Sequence, residues 1–168
     1  MTITSPTTPA ALLLQELVKH HLTVATAESC TGGNIAHLIT EVAGASEAML
    51  GGVVSYSNEV KARLLGVSTD DLERHGAVSR PVVEQMAAGA CRATGARCAM
   101  ATSGIAGPGG GSALKPVGTV WMAWAIDGRV CSELCHFSGS RSEIISRASL
   151  HAINSLIKLI TNHTTYHE

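Results

Sequence analysis

The chain has 168 residues, a formal net charge of −1, 45% hydrophobic and only 3% aromatic residues. Near-neutral charge with no basic run, and few rings for bases to stack on, exclude a nucleic-acid or anionic-membrane partner. No stretch reaches the ~18 apolar residues of a membrane span, and Met1 to Pro9 lack a positive targeting segment, so a soluble, cytoplasmic protein with one domain over residues 1–168 is expected.

Apolar positions at helical spacing (Leu13, Leu14, Leu17, Val18) predict a first helix over about 10–21. The apolar run 22–25 reads as a strand. It breaks at Ala27-Glu28-Ser29-Cys30-Thr31-Gly32-Gly33 into a second helix carrying Ile35, Leu38, Ile39 and Val42. Gly44-Ala45-Ser46 closes that helix with a glycine signal, and 49–56 reads as a second strand. Ser57 or Asn58 can cap a short helix containing Lys61 and Leu64, ended by Gly66, and Ser68-Thr69-Asp70-Asp71 starts another helical turn. Pro81 opens a longer helix to about Thr94. A third strand over 98–102 leads into a glycine-rich loop, 103–112, and strands over 117–126 and 130–137 form a hairpin around Asp127-Gly128. The last helix spans about 141–160. The order α-β-α-β-α-α-β-β-β-α, with one late hairpin among crossover connections, predicts an α/β protein, a three-layer α/β/α sandwich with a mixed, mostly parallel sheet.

Five cysteines form no complete disulfide framework. Cys131 and Cys135, four apart in a strand, are separated by ~13 Å at about 3.3 Å per residue, too far to chelate together. His163 and His167 have helical spacing but lie in a polar tail, and only three aspartates are present. No metal is expected.

Three loops, 29–33, 56–61 and 103–112, follow strand ends, and in an open α/β sheet such loops converge on one crevice. Ser29 or Thr31 can simply cap a helix at the first of them. A hydroxyl at a strand-to-helix turn also has the exposure a nucleophile needs. Lys61 is either a solvated surface lysine or a base for Ser29. With Asn58 as N-cap it falls in the first helical turn, where the macrodipole disfavours its charge by only ~0.3–1 kcal/mol, so burial has to supply most of the shift towards neutrality. The glycine-rich loop lacks the lysine of a phosphate-binding P-loop and the spacing of a dinucleotide fingerprint. It offers either an anion nest or a flexible surface loop. Cys30 competes with Ser29 as nucleophile, but no histidine falls in these loops to serve it as a base.

Thr26-Ala27-Glu28-Ser29-Cys30-Thr31-Gly32-Gly33, the stretch 51–61 ending in Lys61, His75-Gly76-Ala77-Val78-Ser79, the loop 103–112 and Lys115-Pro116-Val117-Gly118-Thr119-Val120 together resemble the CinA C-terminal domain family, nearest to its stand-alone bacterial members. The resemblance implies a three-layer α/β/α fold, often dimeric, so a homodimer is expected. It implies hydrolysis of the carboxamide of nicotinamide mononucleotide to nicotinate mononucleotide and ammonia, with no cofactor and no metal. It carries a serine nucleophile with lysine and tyrosine assistance onto Ser29, Lys61 and Tyr56. Substrate contacts are implied at Cys30, Thr31, Gly32, Gly33, Ser46, Ser103, Gly104, Gly107, Gly109, Gly110 and Arg141, with backbone N–H groups of 30–33 as the oxyanion site and the 103–112 loop as the phosphate site. The chain departs from the family in Gly139-Ser140-Arg141, where Gly-Asp-Arg is common, in Ile145, where a further arginine is common, and in Ser103 for threonine. A non-catalytic nucleotide-binding or regulatory module, and a cysteine hydrolase using Cys30, are the competing readings.

Overall fold

Five consecutive buried residues, Val24–Glu28, make β1 an interior strand of the sheet. The computed structural model describes residues 8–164, without the side chains of the last two, so the His163 and His167 spacing lies outside the described residues. Before β1 comes α1 (Pro9–Lys19), capped by Thr8, whose hydroxyl accepts from Ala11 N–H. After it come α2 (Asn34–Thr40), a 3₁₀ turn (Ala45–Glu47), β2 (Met49–Val54), α3 (Asn58–Leu65), α4 (Thr69–His75) and α5 (Arg80–Thr94). The chain then forms β3 (Cys98–Gly104), the hairpin β4 (Thr119–Ile126) and β5 (Arg129–His136), and α6 (Arg141–Thr164).

The sheet order is β2-β1-β3-β4-β5. β1 pairs in parallel with both β2 and β3, while β4 and β5 run antiparallel to their neighbours. The expected mixed sheet is therefore present, with its parallel part in the three strands that carry the site. Asp127 and Gly128 both take positive φ, 47° and 81°, the conformation a two-residue hairpin turn demands.

The two faces of the sheet are built from different residue sizes. Toward α1, α2 and α6 the strands present Val24, Met100, Val120, Met122 and Trp124. Toward α5 they present Ala25, Ala27, Ala99, Ala101, Ala123 and Ala125, and this bed of methyl groups lets α5 lie close against the sheet. Gly89 of α5 extends the same logic outward, because a Cβ there would collide with the Leu65 backbone at the end of α3.

Two local readings change. The Ser68 turn is a full helix, so three helices rather than two separate β2 from β3. β1 starts two residues later than the apolar run and continues through Glu28, because a buried carboxylate ends it. Among the described residues, no helix is long and apolar enough to cross a membrane.

Candidate active site

The turn after β1 is built on Glu28. Its side chain is fully buried, 0% exposed, and accepts four hydrogen bonds: from Thr31 Oγ1 at 2.6 Å and from the backbone N–H groups of Gly33 at 3.1 Å, Ile35 at 3.0 Å and Ala36 at 2.9 Å. The last three are donors that the start of α2 would otherwise leave unpaired. The N-cap position itself is Gly33, which has no side chain to do this work. Gly32 and Gly33 take φ of +59° and +98°, a backbone path that L side chains resist. Neither Ser29 nor Thr31 is the helix cap.

A directed chain of hydrogen bonds extends from Glu28. Thr31 Oγ1 gives its one proton to Glu28 and lies 2.7 Å from Thr102 Oγ1, so the Thr102 hydroxyl donates to Thr31. Thr102 sits on β3, and its carbonyl accepts from Ser29 N–H at 3.0 Å. The turn is thus fixed to two strands, and the Ser29 hydroxyl is left out of this internal network.

Lys61 Nζ lies 3.0 Å from Ser29 Oγ. It also reaches the Ser55 carbonyl at 2.7 Å and the Tyr56 carbonyl at 3.3 Å. Lys61 is on α3, whose N-cap is Ser57 rather than Asn58, and only 1% of it is exposed. Burial holds its pKa below the ordinary 10.5. The protonated amine donates to all three oxygens; once it is neutral, with two protons and one lone pair, the two carbonyls can keep the protons and leave the lone pair to the Ser29 hydroxyl. The arrangement can therefore withdraw a proton from Ser29.

The cavity above this pair has a volume of about 210 Å³ and is lined by Ser29, Cys30, Tyr56, Lys61, Ala77, Val78, Ser103, Gly104, Ala106 and Arg141. A larger groove of about 620 Å³ between α3 and α4 is lined by residues such as Asn58, Glu59, Ala62 and Leu72, which offer no nucleophile–base pair. The smaller cavity is the candidate site.

Several expected residues take other positions or tasks. The Tyr56 phenol does not bond to Ser29 or Lys61. It is largely exposed and accepts from Arg141 Nη2 at 3.1 Å, while Arg141 Nη1 donates to the Gly107 carbonyl at 2.7 Å. Tyr56 meets the lysine only through its backbone carbonyl. The Thr31 side chain is spent on Glu28 and Thr102. Gly32 N–H bonds to the Ser29 carbonyl and Gly33 N–H to Glu28, so neither is available to an oxyanion. Neither the Cys30 nor the Thr31 N–H has a backbone acceptor among the described residues, and the Cys30 N–H faces its own thiol. Ser46 stands exposed on the 3₁₀ turn just before β2, whose first residue, Met49, is in register with Val24, at the far end of the sheet from Ser29. Ser103 and Gly104 line the cavity, the Ser103 hydroxyl donating to the Ala77 carbonyl at 2.8 Å. Gly107 reaches the cavity only through Arg141, and Gly109 and Gly110 lie exposed on the loop beyond it.

Cys30 is buried, and desolvation pushes its thiol up to about 11, which leaves very little thiolate at neutral pH. The sequence reading missed Glu28 and Thr102 as site-building residues. The signal was an acid closing an otherwise apolar strand one residue before the turn. Elsewhere, Glu133, Cys135 and His151 form a group with metal-ligand chemistry, and none of them lines the cavity.

Residues 7–160 match the model of the CinA C-terminal domain. The chain is 48% identical over 155 residues to a nicotinamide-nucleotide amidohydrolase PncC of Pseudomonas putida, covering 92% of this chain and 97% of that protein. It is 49% identical over 148 residues to the protein of the same name from Escherichia coli K12, covering 84% and 87%. Among solved structures, a CinA superfamily protein from Klebsiella pneumoniae superposes with a TM-score of 0.89 at 34% identity, over 92% of this chain and 96% of that one. With a match over most of its length, the chain belongs to the CinA C-terminal domain family.

Proposed function

We propose that this protein hydrolyses the carboxamide of nicotinamide mononucleotide to nicotinate mononucleotide and ammonia. The observation that carries the reading is the buried Lys61 amine, 3.0 Å from Ser29 Oγ with two backbone carbonyls as its other partners. The names and near-full-length identity of the bacterial relatives supply the substrate class.

Neutral Lys61 takes the Ser29 proton as Oγ attacks the amide carbon. The Cys30 and Thr31 N–H groups receive the developing oxyanion. The C–N bond breaks, Lys61 returns the proton to the leaving nitrogen, and ammonia departs. Water then gives a proton to Lys61, attacks the Ser29 ester and releases the carboxylate, and Ser29 regains its proton. Each proton transfer is assigned to a group of this chain, and all of them come from the one domain expected over residues 1–168.

A cavity of about 210 Å³ is smaller than the roughly 300–1,000 Å³ that encloses a whole ligand. It takes the pyridine ring and carboxamide, and the ribose phosphate lies at the rim, between the 103–112 loop and Arg141. Two of the Arg141 N–H groups are engaged by Gly107 and Tyr56, which aims the guanidinium and leaves other donors for a phosphate. Tyr56 acts here by orienting Arg141 rather than by relaying a proton. The cytoplasm and a homodimer belong to the same proposal. Leu50 and Val54, 48% and 52% exposed on edge strand β2, offer an apolar surface to a second copy. A non-catalytic regulatory module would give no reason to bury a lysine amine against a serine hydroxyl.

Incubating purified protein with nicotinamide mononucleotide and measuring ammonia tests the reading. Steady ammonia release, lowered on the order of 10⁴-fold or more in Ser29→Ala, is expected. No release by the wild-type protein would refute it.

A further inference from the structure

Cys135 is one of five cysteines without a disulfide, and the catalytic reading uses none of its neighbours. Glu133 and Cys135 are two apart on β5, so both side chains project from the same face of the strand. Cys135 is 8% exposed and belongs to the apolar cluster beneath α6. From α6, His151 reaches down to the same spot, with Nε2 2.9 Å from Glu133 Oε2. Its ring is held edge-on by Trp124 and Phe137, at centroid distances of 6.4 and 5.9 Å. One ligand atom from each of Glu133, Cys135 and His151 lies within 4.8 Å of the other two.

We propose that Glu133, Cys135 and His151 form a binding site for a borderline-soft divalent cation of the zinc class, clipping edge strand β5 to α6. A sulfur, an imidazole nitrogen and a carboxylate oxygen are the three donor types zinc takes. With bonds of about 2.0–2.3 Å, tetrahedral zinc places its ligand atoms roughly 3.3–3.8 Å apart. The 2.9 Å contact between Glu133 and His151 has to open to admit the ion, and Glu133, whose side chain is 51% exposed, is the partner with room to move. The same opening gives a cation its route in from solvent and leaves a fourth position for water. Charge balances as well: a thiolate and a carboxylate with a neutral imidazole match one divalent ion. On binding, the Cys135 proton leaves to solvent and its place on sulfur is taken by the metal.

The location gives the site a task. α6 is anchored over β4 by the Trp124 indole N–H, which donates to the Ala152 carbonyl at 2.9 Å, while β5 is an edge strand paired only with β4. A cation held by Glu133, Cys135 and His151 would tie that edge to the helix. A plain Glu133–His151 ion pair with a bystander thiol is the competing account.

Titrating chelator-treated full-length protein with Co²⁺ separates the two. One equivalent giving a thiolate-to-cobalt absorption band, displaced by Zn²⁺, is expected. The band is lost in Cys135→Ser and in His151→Gln and retained in Cys131→Ser, which removes the exposed cysteine on the same strand. Saturating Zn²⁺ should also raise the wild-type melting temperature by about 4 °C or more and leave that of Cys135→Ser unmoved. Circular dichroism and ammonia release matching wild type in these variants confirm that they are folded. A missing band at one equivalent, or a band that survives Cys135→Ser, would overturn the site without touching the Ser29 and Lys61 reading.

Discussion

No carboxylate is among the hydrogen-bond partners of the Lys61 amine, which is enclosed by a hydroxyl and two carbonyls. Burial without a counter-charge favours the neutral form, and the pKa falls below 10.5 as a result. The sign for activity follows directly. Below the lowered pKa the amine is protonated and cannot accept from Ser29, so kcat/KM should climb about tenfold per pH unit on its acid limb and level off above a midpoint lower than 10.5. Lys61→Arg keeps a cation that never gives up its proton, so a loss of about 10²–10⁴-fold with no such limb is expected. A wild-type profile flat with pH would remove Lys61 as the base. Cys30, beside Ser29 in sequence, is the opposite case: burial pushes its thiol up to about 11, away from reactivity.

The strand, turn and helix from β1 to α2 hold Ser29 in place, and Glu28 is the tie. Truncating it leaves three backbone N–H groups and the Thr31 hydroxyl without their acceptor. Glu28→Ala is therefore expected to cost about 3 kcal/mol or more, read as a lower urea midpoint with an unchanged m value. A midpoint within error of wild type would show that water replaces the carboxylate. The strand-to-helix break, the Gly66 stop and the Asp127-Gly128 hairpin were legible in the sequence because each depends on neighbours in the chain. Glu28 was not, because a carboxylate reads as exposed until the donors that surround it are known. Gly32 and Gly33 were legible as a special turn but not as to purpose, since a glycine needed for positive φ and a glycine offering its N–H look alike in sequence.

The sheet assembles the site from segments far apart in the chain. Parallel pairing of β1 with β2 and β3 sets Glu28 level with Val54 and Thr102, which brings the Ser29 turn, the Lys61 helix and the Ser103 loop to one end of the strands. That these loops converge was legible from the class of fold. The strand order, the isolation of Ser46 at the opposite end of the strands, and the meeting of Cys135 with His151 were not, because they depend on which elements pack together rather than on spacing. The partner of the Tyr56 phenol was hidden for the same reason: Arg141 comes from 85 residues away. The acyl-enzyme can be trapped on the whole protein: turnover of nicotinamide mononucleotide is quenched in acid, the intact mass is measured, and the modified peptide is mapped. The expected product carries the mass of the substrate less ammonia, esterified to Ser29 and absent from Ser29→Ala. The same adduct on Cys30, or turnover that persists in Ser29→Ala, would contradict the account.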